Sequence, residues 1–182
     1  MSWLRRIFQL TLLMMALALG MLALYQHRFP APPAPPRPLP PLTGTIDRIL
    51  IEKSARRLTV FRDGEALRSY GIALGFAPEG DKIRQGDGKT PEGRFRINRR
   101  NAASAFHLSL GLDYPQQNDL IRAAAGGYSP GGDIFIHGQP NALFGKATLR
   151  HDWTEGCIAL ADTEIEELWR IAPIGTTVEI RP

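Results

Sequence analysis

The residue types that could carry out nucleophilic chemistry gather between positions 134 and 157. Cys157 is the only cysteine in the 182 residues, and it lies within the stretch RHDWTEGCIAL. His137 follows the apolar stretch DIFI, and His151 stands six residues before the cysteine. A thiol becomes a strong nucleophile when a neighbouring imidazole accepts its proton. The first question is therefore what Cys157 does.

Three interpretations of Cys157 have to be weighed. A free cysteine is most often a small buried hydrophobe. The thiol and the two histidines are also ligand types that suit zinc, but no two of them lie at the short spacing of a compact zinc site. A metal site is therefore not expected. As a nucleophile, Cys157 would need a base and donors that stabilise an oxyanion.

The residues next to Cys157 and His137 favour the nucleophile. Gly156 permits a backbone turn that exposes the thiol and directs backbone N–H groups at a reacting carbonyl. His137 is followed by Gly138, so no bulky neighbour crowds its ring. A histidine at the end of a strand and a cysteine in a loop can meet in the fold. We expect Cys157 and His137 to form the reacting pair.

The elements that must position this pair are mostly β-strands. Apolar and polar residues alternate over short stretches from Ile46 to Ile72, and Asp63-Gly64 between two of these stretches is a strong hairpin signal. The sequence has no strand–helix alternation of the kind that a doubly wound sheet needs. Further strands are predicted over residues 94–98, 106–114, 131–138 and 176–181.

One helix is predicted near the C-terminus. Thr163 and Glu166 have the spacing of a capping box, and Pro173 with Gly175 ends the pattern. The apolar residues of this segment fall on one helical face: Ile165, Leu168, Trp169 and Ala172. The predicted domain is therefore mostly β with one or two short helices.

The positive charge of the chain lies in its N-terminal region. The net charge is +4, but residues 1–41 contain four arginines and no acid, so the remaining 22 − 4 = 18 basic residues balance 18 acidic ones. A groove that binds nucleic acid would need basic residues concentrated in the domain. No nucleic-acid partner is therefore expected, and we expect a monomer.

The N-terminal residues predict a membrane segment. The run from Ile7 to Leu24 is uncharged and about 18 residues long, which is enough to cross a bilayer. Arg5 and Arg6 before it favour a cytoplasmic N-terminus. We predict a single transmembrane helix or signal anchor over residues 1–28, in the inner membrane. Cleavage near Ala16-Leu17-Ala18, which would release a soluble periplasmic protein, is the alternative.

A proline-rich linker over residues 29–43 is predicted to separate this helix from a domain over residues 44–182. Twelve residues, PAPPAPPRPLPP, form the centre of that linker and favour an extended polyproline conformation. Exported proteins commonly pair their cysteines, whereas a lone Cys157 cannot form an internal disulfide. Export therefore supports a reactive role for the thiol.

Two segments resemble the L,D-transpeptidase catalytic domain family, the YkuD family. IFIHGQPNALFGKATLRHDWTEGCIAL has the family's His-Gly strand end followed by a Ser/Thr-x-Gly-Cys turn, and GDGKTPEGRFRI is similar to its Thr-Pro-x-Gly stretch. The resemblance covers about residues 46–180. It is strongest to the Gram-negative branch with an HGxPN…DWTxGCIA motif, and it implies a β-sandwich or barrel-like fold.

The resemblance implies a peptidoglycan enzyme that needs no metal or cofactor. Cys157 would attack the stem peptide after meso-diaminopimelate and form a thioester, and the acyl group would pass to an amine. His137 would act as general base and later acid, and the N–H groups of Gly156 and Cys157 would stabilise the oxyanion. Thr154 matches the family's Ser/Thr, and Gly138 supports the histidine.

Two other functions stay open at this point. A related hydrolase would trim stem peptides as an L,D-carboxypeptidase, or would release a protein attached to peptidoglycan as an amidase. A non-catalytic module that binds the cell wall would keep Cys157 merely buried.

The chain departs from the family pattern at Glu155, where many members have histidine. A carboxylate at this position tends to raise the pKa of the thiol. His151 is a possible substitute for that histidine, and Trp153 either lines the groove or packs under the loop. Phe106, His107 and Tyr114 are weaker candidates for the groove.

Overall fold

The computed structural model describes residues 2–29 and 39–182. The chain divides into two compact units, Met1–Pro40 and Pro41–Pro182. The centre of the predicted linker, residues 30–38, lies outside the described residues.

The described residues of the first unit form the helix α1 over Ser2–Arg28. Its segment Trp3–Tyr25 has 23 residues and a mean hydropathy of 2.2. At 1.5 Å per residue this segment is about 35 Å long, and the hydrocarbon layer of a bilayer is about 30 Å thick. The helix is therefore a candidate membrane span, although a signal sequence near an N-terminus has the same length and composition.

The second unit begins with three antiparallel strands that confirm the predicted hairpin. They are β1 (Arg48–Glu52), β2 (Arg57–Arg62) and β3 (Glu65–Gly71). The two-residue turn between β2 and β3 is Asp63-Gly64, with φ values of 52° and 83°. A type I′ turn requires positive φ at both central residues, and an Asp-Gly pair adopts it readily.

The remaining strands are β4 (Gly93–Ser104), β5 (His107–Leu112), β6 (Phe135–His137), β7 (Ile158–Ala159) and β8 (Thr177–Arg181). Within residues 39–182, the eight strands form one mixed sheet in the order β3-β2-β1-β8-β4-β5-β6-β7. The β1–β8 and β6–β7 pairs are parallel, and the other neighbours are antiparallel. Strand β4 pairs with β8 through its first residues and with β5 through its later ones, so it belongs to both halves of the sheet.

The predicted C-terminal helix is present as α3, over Asp162–Ile171. Its apolar face enters the core, because Ile165 and Leu168 are fully buried. The predicted cap is wrong, since the helix begins before Thr163. The Glu164 carboxylate instead accepts the N–H of the cap residue Ala161 at 3.0 Å.

Three short elements were not predicted, and one of them is a single turn of 3₁₀ helix over Asn141–Leu143. Helix α2 spans Gln117–Gly126 and buries only Ala123, so its apolar periodicity is weak. Strand β7 has two residues, Ile158 and Ala159, within a longer apolar run. The domain is nonetheless mostly β with two short helices, as the fold prediction states.

Candidate active site

His137 and Cys157 are brought together by the parallel pairing of β6 with β7. His137 is the last residue of β6, and Cys157 immediately precedes β7. The register places Ile136 opposite Ile158 and His137 opposite Ala159. Both His137 and Cys157 consequently line the same cleft.

The cleft has a volume of about 720 Å³. A space of this size accommodates a peptide segment of a few residues. Besides the reacting pair, it is lined by three further groups of side chains, which are the aromatic Phe106 and Trp153, the acidic Asp133 and Glu155, and the basic Lys82.

His137 is held in one orientation by a backbone carbonyl. Its ring is only 3% exposed, and Nδ1 lies 2.7 Å from the Gly138 oxygen. A carbonyl oxygen only accepts hydrogen bonds, so Nδ1 carries the proton and Nε2 keeps a free lone pair. Burial lowers the pKa of His137, and the bond to Gly138 opposes that shift only partly. The imidazole is therefore neutral and able to accept a proton at neutral pH.

Two aromatic rings enclose the His137 imidazole. The Phe106 ring centroid lies 4.8 Å from the imidazole, and the Trp153 centroid lies 5.7 Å away in a T-shaped arrangement. These rings exclude water from the base, which explains the direction of its pKa shift. Trp153 Nε1 is buried and has no hydrogen-bond partner among the described residues.

The Cys157 thiol contacts the backbone that leads into β6. The N–H of Phe135 donates to Sγ at 3.4 Å, and Sγ–H donates to the Asp133 carbonyl at 3.4 Å. Burial raises the pKa of Cys157, the Phe135 N–H and the charge of Lys82 lower it, and the charges of Asp133 and Glu155 raise it. The sequence predicted that Glu155 raises the pKa of the thiol, whereas burial is the larger cause of the rise. The resting group is therefore a neutral thiol.

The turn before Cys157 is braced by the Thr154 hydroxyl. This oxygen accepts the Gly156 N–H at 3.2 Å and donates to the Cys157 carbonyl at 2.7 Å. The Gly156 N–H, one of the two predicted oxyanion donors, is thus already engaged. The Cys157 N–H has no acceptor within residues 39–182 and remains available to a ligand.

Three glycines from separate loops meet beneath this turn. A β-carbon at Gly156, where φ is +135°, would lie 2.6 Å from the Lys89 carbonyl oxygen. A β-carbon at Gly75 would lie 2.1 Å from the Gly88 oxygen and 3.1 Å from the Gly156 Cα. The loops therefore touch through bare backbone. This contact gives a physical reason for the second sequence segment, Gly86 to Ile97, to accompany the cysteine motif.

Gly138 supports His137 through packing as well as through its carbonyl. Its N–H donates to the Phe106 carbonyl at 3.0 Å. A β-carbon at Gly138 would lie 2.7 Å from Asp162 Oδ1 at the start of α3. A larger residue would push the strand end away from the helix.

The other sequence candidates lie in different places. His151 is exposed and does not line the cleft, whereas its neighbour Asp152 anchors the loop by accepting from Arg56 at 2.7 Å and from Leu74 N–H at 2.9 Å. His107 pairs with Glu166 at 2.9 Å. Tyr114 is buried and also lies outside the cleft lining.

Comparison with known proteins places this domain in a family. The family model described as the YkuD L,D-transpeptidase catalytic domain matches residues 46–180. This match covers most of the chain, and the chain therefore belongs to that family. A search of curated proteins gave no significant match.

Solved structures show the same fold. The helical cell shape determining protein Pgp2 from Campylobacter jejuni is 26% identical, with a TM-score of 0.60 over 76% of this chain and 48% of Pgp2. Bd1075 from Bdellovibrio bacteriovorus is 22% identical, with a TM-score of 0.54 over 76% of this chain and 48% of that one. An L,D-transpeptidase from Xylanimonas cellulosilytica is 18% identical, with a TM-score of 0.51 over 80% and 65%. The chain spans about half the length of the first two proteins.

Proposed function

We propose that the chain is a peptidoglycan L,D-transpeptidase that works through a thioester on Cys157. The observation that carries the proposal is the placement of a neutral, carbonyl-oriented His137 and the Cys157 thiol in one cleft. Membership of the YkuD family supports peptidoglycan stem peptides as the substrate. The cleavage point after meso-diaminopimelate follows from the family resemblance alone.

The first half-reaction of the proposed mechanism uses the two side chains as nucleophile and base. His137 Nε2 accepts the thiol proton as Sγ attacks the carbonyl carbon of the scissile bond. The Cys157 N–H donates to the developing oxyanion. Collapse of the tetrahedral intermediate breaks the C–N bond, and the departing amine takes the proton from His137. The acyl group is left on Sγ as a thioester.

The second half-reaction reverses the proton transfers. An amine of another stem peptide attacks the thioester and gives a proton to His137. The C–S bond breaks, and Cys157 recovers its proton from the imidazolium. If water takes the place of the amine, the product is a shortened stem and the enzyme is a hydrolase.

Purified sacculi provide the direct test. The full-length chain in detergent micelles is incubated with sacculi, and the released muropeptides are analysed by mass spectrometry. We expect new cross-links with the native chain and none with Cys157→Ala. His137→Asn should lower the rate by about 10²- to 10⁴-fold, the range of general base catalysis. His151→Asn is the matched control, because this histidine is exposed and outside the cleft lining.

The outcomes separate the candidate functions. Shortened stems without cross-links would identify an L,D-carboxypeptidase or an amidase-type hydrolase. An unchanged muropeptide profile, combined with retained binding to sacculi, would identify a non-catalytic cell-wall module. Cross-linking that survives Cys157→Ala would remove the thiol from the mechanism.

The location that fits this function is the periplasm, with α1 in the inner membrane. Arg5 and Arg6 before the apolar segment favour a cytoplasmic N-terminus. Sodium carbonate extraction should leave the chain in the membrane fraction, and external protease should digest the domain in spheroplasts. Release of a shortened soluble protein would instead indicate cleavage of a signal sequence.

A further inference from the structure

Lys82 is a buried lysine in the wall of the cleft and takes no part in the steps above. It is 3% exposed, and it is the only cation among the cleft-lining residues of the described chain. Its Nζ donates to Asp87 Oδ1 at 2.8 Å and to the Arg84 carbonyl at 3.3 Å. An ammonium has three N–H groups. No acceptor within residues 39–182 takes the third.

The Asp87 carboxylate, which pairs with the Lys82 ammonium, is itself fixed by the backbone of the surrounding loop. The Asp87 carboxylate also accepts the N–H groups of Ile83 at 2.8 Å and Lys89 at 3.0 Å. Burial acts to raise the pKa of Asp87, but Lys82 and the backbone N–H groups together lower it to about 2. Asp87 is therefore ionised throughout the neutral range, and its charge is shared among several donors.

Two further contacts position the Lys82 backbone and side chain. Arg122 on α2 donates to the Lys82 carbonyl at 2.9 Å and to Asp81 at 3.0 Å. Gly131 lies beside the lysine stem, and a β-carbon there would come within 3.5 Å of Lys82 Cε and 3.3 Å of Gln85 Cα. The side chain is thus preorganised before any ligand arrives.

Lys53 shows what a fully satisfied buried lysine looks like in this fold. It is also 3% exposed, but its Nζ donates to three acceptors, which are the Gly80 carbonyl at 2.7 Å, the Glu92 carboxylate at 2.8 Å and the Thr90 carbonyl at 3.0 Å. It does not line the catalytic cleft. A buried ion pair contributes little net stability. Stability alone is therefore a weak reason to bury Lys82 with one N–H group lacking an acceptor.

We propose, resting on the function above, that Lys82 binds a carboxylate of the donor stem peptide and selects donors that carry it. A charge-assisted hydrogen bond from a preorganised ammonium is among the stronger polar contacts available to a ligand. Two donor carboxylates could supply this chemistry. One is on the side chain of the residue that becomes acylated, and the other is at the C-terminus of the departing residue.

Amidated donors distinguish the two sources. The full-length chain in detergent micelles is given a tetrapeptide donor, the same donor with a side-chain carboxamide, and the same donor with a C-terminal carboxamide. We expect one carboxamide to lower kcat/KM by about 10- to 100-fold, the effect of losing a hydrogen bond between charged groups. In Lys82→Met the ratio of kcat/KM for the acid donor to kcat/KM for that amide donor should fall to about 1. The carboxamide that loses its effect identifies the bound group.

Lys53→Met is the matched control for a structural effect of removing a buried lysine. It should lower turnover of the acid and amide donors equally and leave their ratio at the native value. The proposal would be overturned if Lys82→Met kept the acid-to-amide ratio of kcat/KM that the native chain shows. It would also be overturned if the native chain showed no preference between acid and amide donors.

A binding measurement separates this proposal from the proposed function. The Cys157→Ala chain is titrated with the three peptides by calorimetry, and the ¹⁵N shift of the Lys82 ammonium is followed by NMR without altering Lys82. A carboxylate preference that moves this resonance would support Lys82 even if the native chain turned over no donor. Equal binding of acid and amide with no movement of the resonance would overturn it.

Discussion

The Nδ1 atom of His137 lies 2.7 Å from the carbonyl oxygen of the next residue, Gly138. The base is therefore oriented by its own backbone and needs no carboxylate partner. Burial of the sulfur raises the pKa of the Cys157 thiol, so this group is also neutral at rest. In the proposed mechanism the pair starts uncharged, and the thiolate forms as the proton moves to Nε2 during attack.

Alkylation of Cys157 should consequently be slow at neutral pH. Burial raises the pKa of the thiol, so the thiolate fraction at pH 8 is smaller than that of a free cysteine. The rate of iodoacetamide labelling, followed by mass spectrometry from pH 6 to pH 11, should rise with a midpoint above that of N-acetylcysteine. Glu155→Gln should move this midpoint down only slightly, because Glu155 is the smallest of the named causes. A midpoint below that of the free thiol would contradict the neutral resting pair.

Phe106→Ala should move the acid limb of the pH–rate profile. Removal of the ring admits water to His137, which raises its pKa towards the ordinary histidine value. The base is then protonated over a wider acidic range, so thioester formation is lost at higher pH than in the native chain. The profile of kcat/KM from pH 4 to pH 8 measures the shift. Phe144→Ala is the control, since this ring is exposed, stacks on His107 and does not line the cleft.

Thr154→Val should impair acylation because it removes the hydroxyl that braces the turn. The Gly156 N–H and the Cys157 carbonyl would both lose their partner, at a cost of about 1–3 kcal/mol for buried groups. Thr154→Ser retains the hydroxyl and should keep a rate near the native one. Acylation by a carbapenem, detected by mass spectrometry, compares the two variants. Equal rates in both would exclude a bracing role for the hydroxyl.

Gly156→Ala should destabilise the domain and abolish acylation. The substitution combines a φ of +135° with a 2.6 Å approach to the Lys89 oxygen, and backbone strain alone costs about 1–3 kcal/mol. Gly175→Ala isolates the strain, because φ is +95° there and no heavy atom lies within 4 Å of the added carbon. Urea unfolding followed by tryptophan fluorescence should give a larger loss for Gly156→Ala than for Gly175→Ala.

Local patterns in the sequence predict much of this fold. The Asp-Gly turn, the alternating strands and the apolar face of α3 each depend on residues close together in the chain. The reacting pair could also be proposed, because the types and neighbours of Cys157 and His137 restrict their chemistry. Helix α2 was not predicted because its residues bury little apolar surface. The cap of α3 was predicted at Thr163 because Thr163 and Glu166 have the spacing of a capping box, whereas the helix begins at Asp162.

The surroundings of the pair could not be read from the sequence in the same way. Phe106 was only a weak candidate for the groove, because the pairing of β5 with β6 is what brings it to His137. Lys82 was not predicted, because it reaches the cleft through a loop that Arg122 holds in place. Such contacts depend on tertiary placement, which no local spacing encodes. Nearness to Cys157 in the chain is an unreliable guide to the site, because His151 is exposed outside the cleft lining, whereas Glu155 lines the cleft and raises the pKa of the thiol.

The meeting of Gly75, Gly88 and Gly156 also restricts how this domain can change by mutation. A β-carbon at Gly75 or Gly156 would meet the backbone of another loop, and one at Gly88 would overlap the Phe76 ring. A change at the other two glycines cannot make room for it, because nothing smaller than glycine exists. A saturation library should therefore accept almost no replacement at these three positions, while Gly71, where φ is not positive and an added β-carbon would meet no heavy atom within 4 Å, should tolerate many. The walls of the cleft, which are formed by side chains, can therefore change more freely in this chain than the backbone contact beneath its thiol.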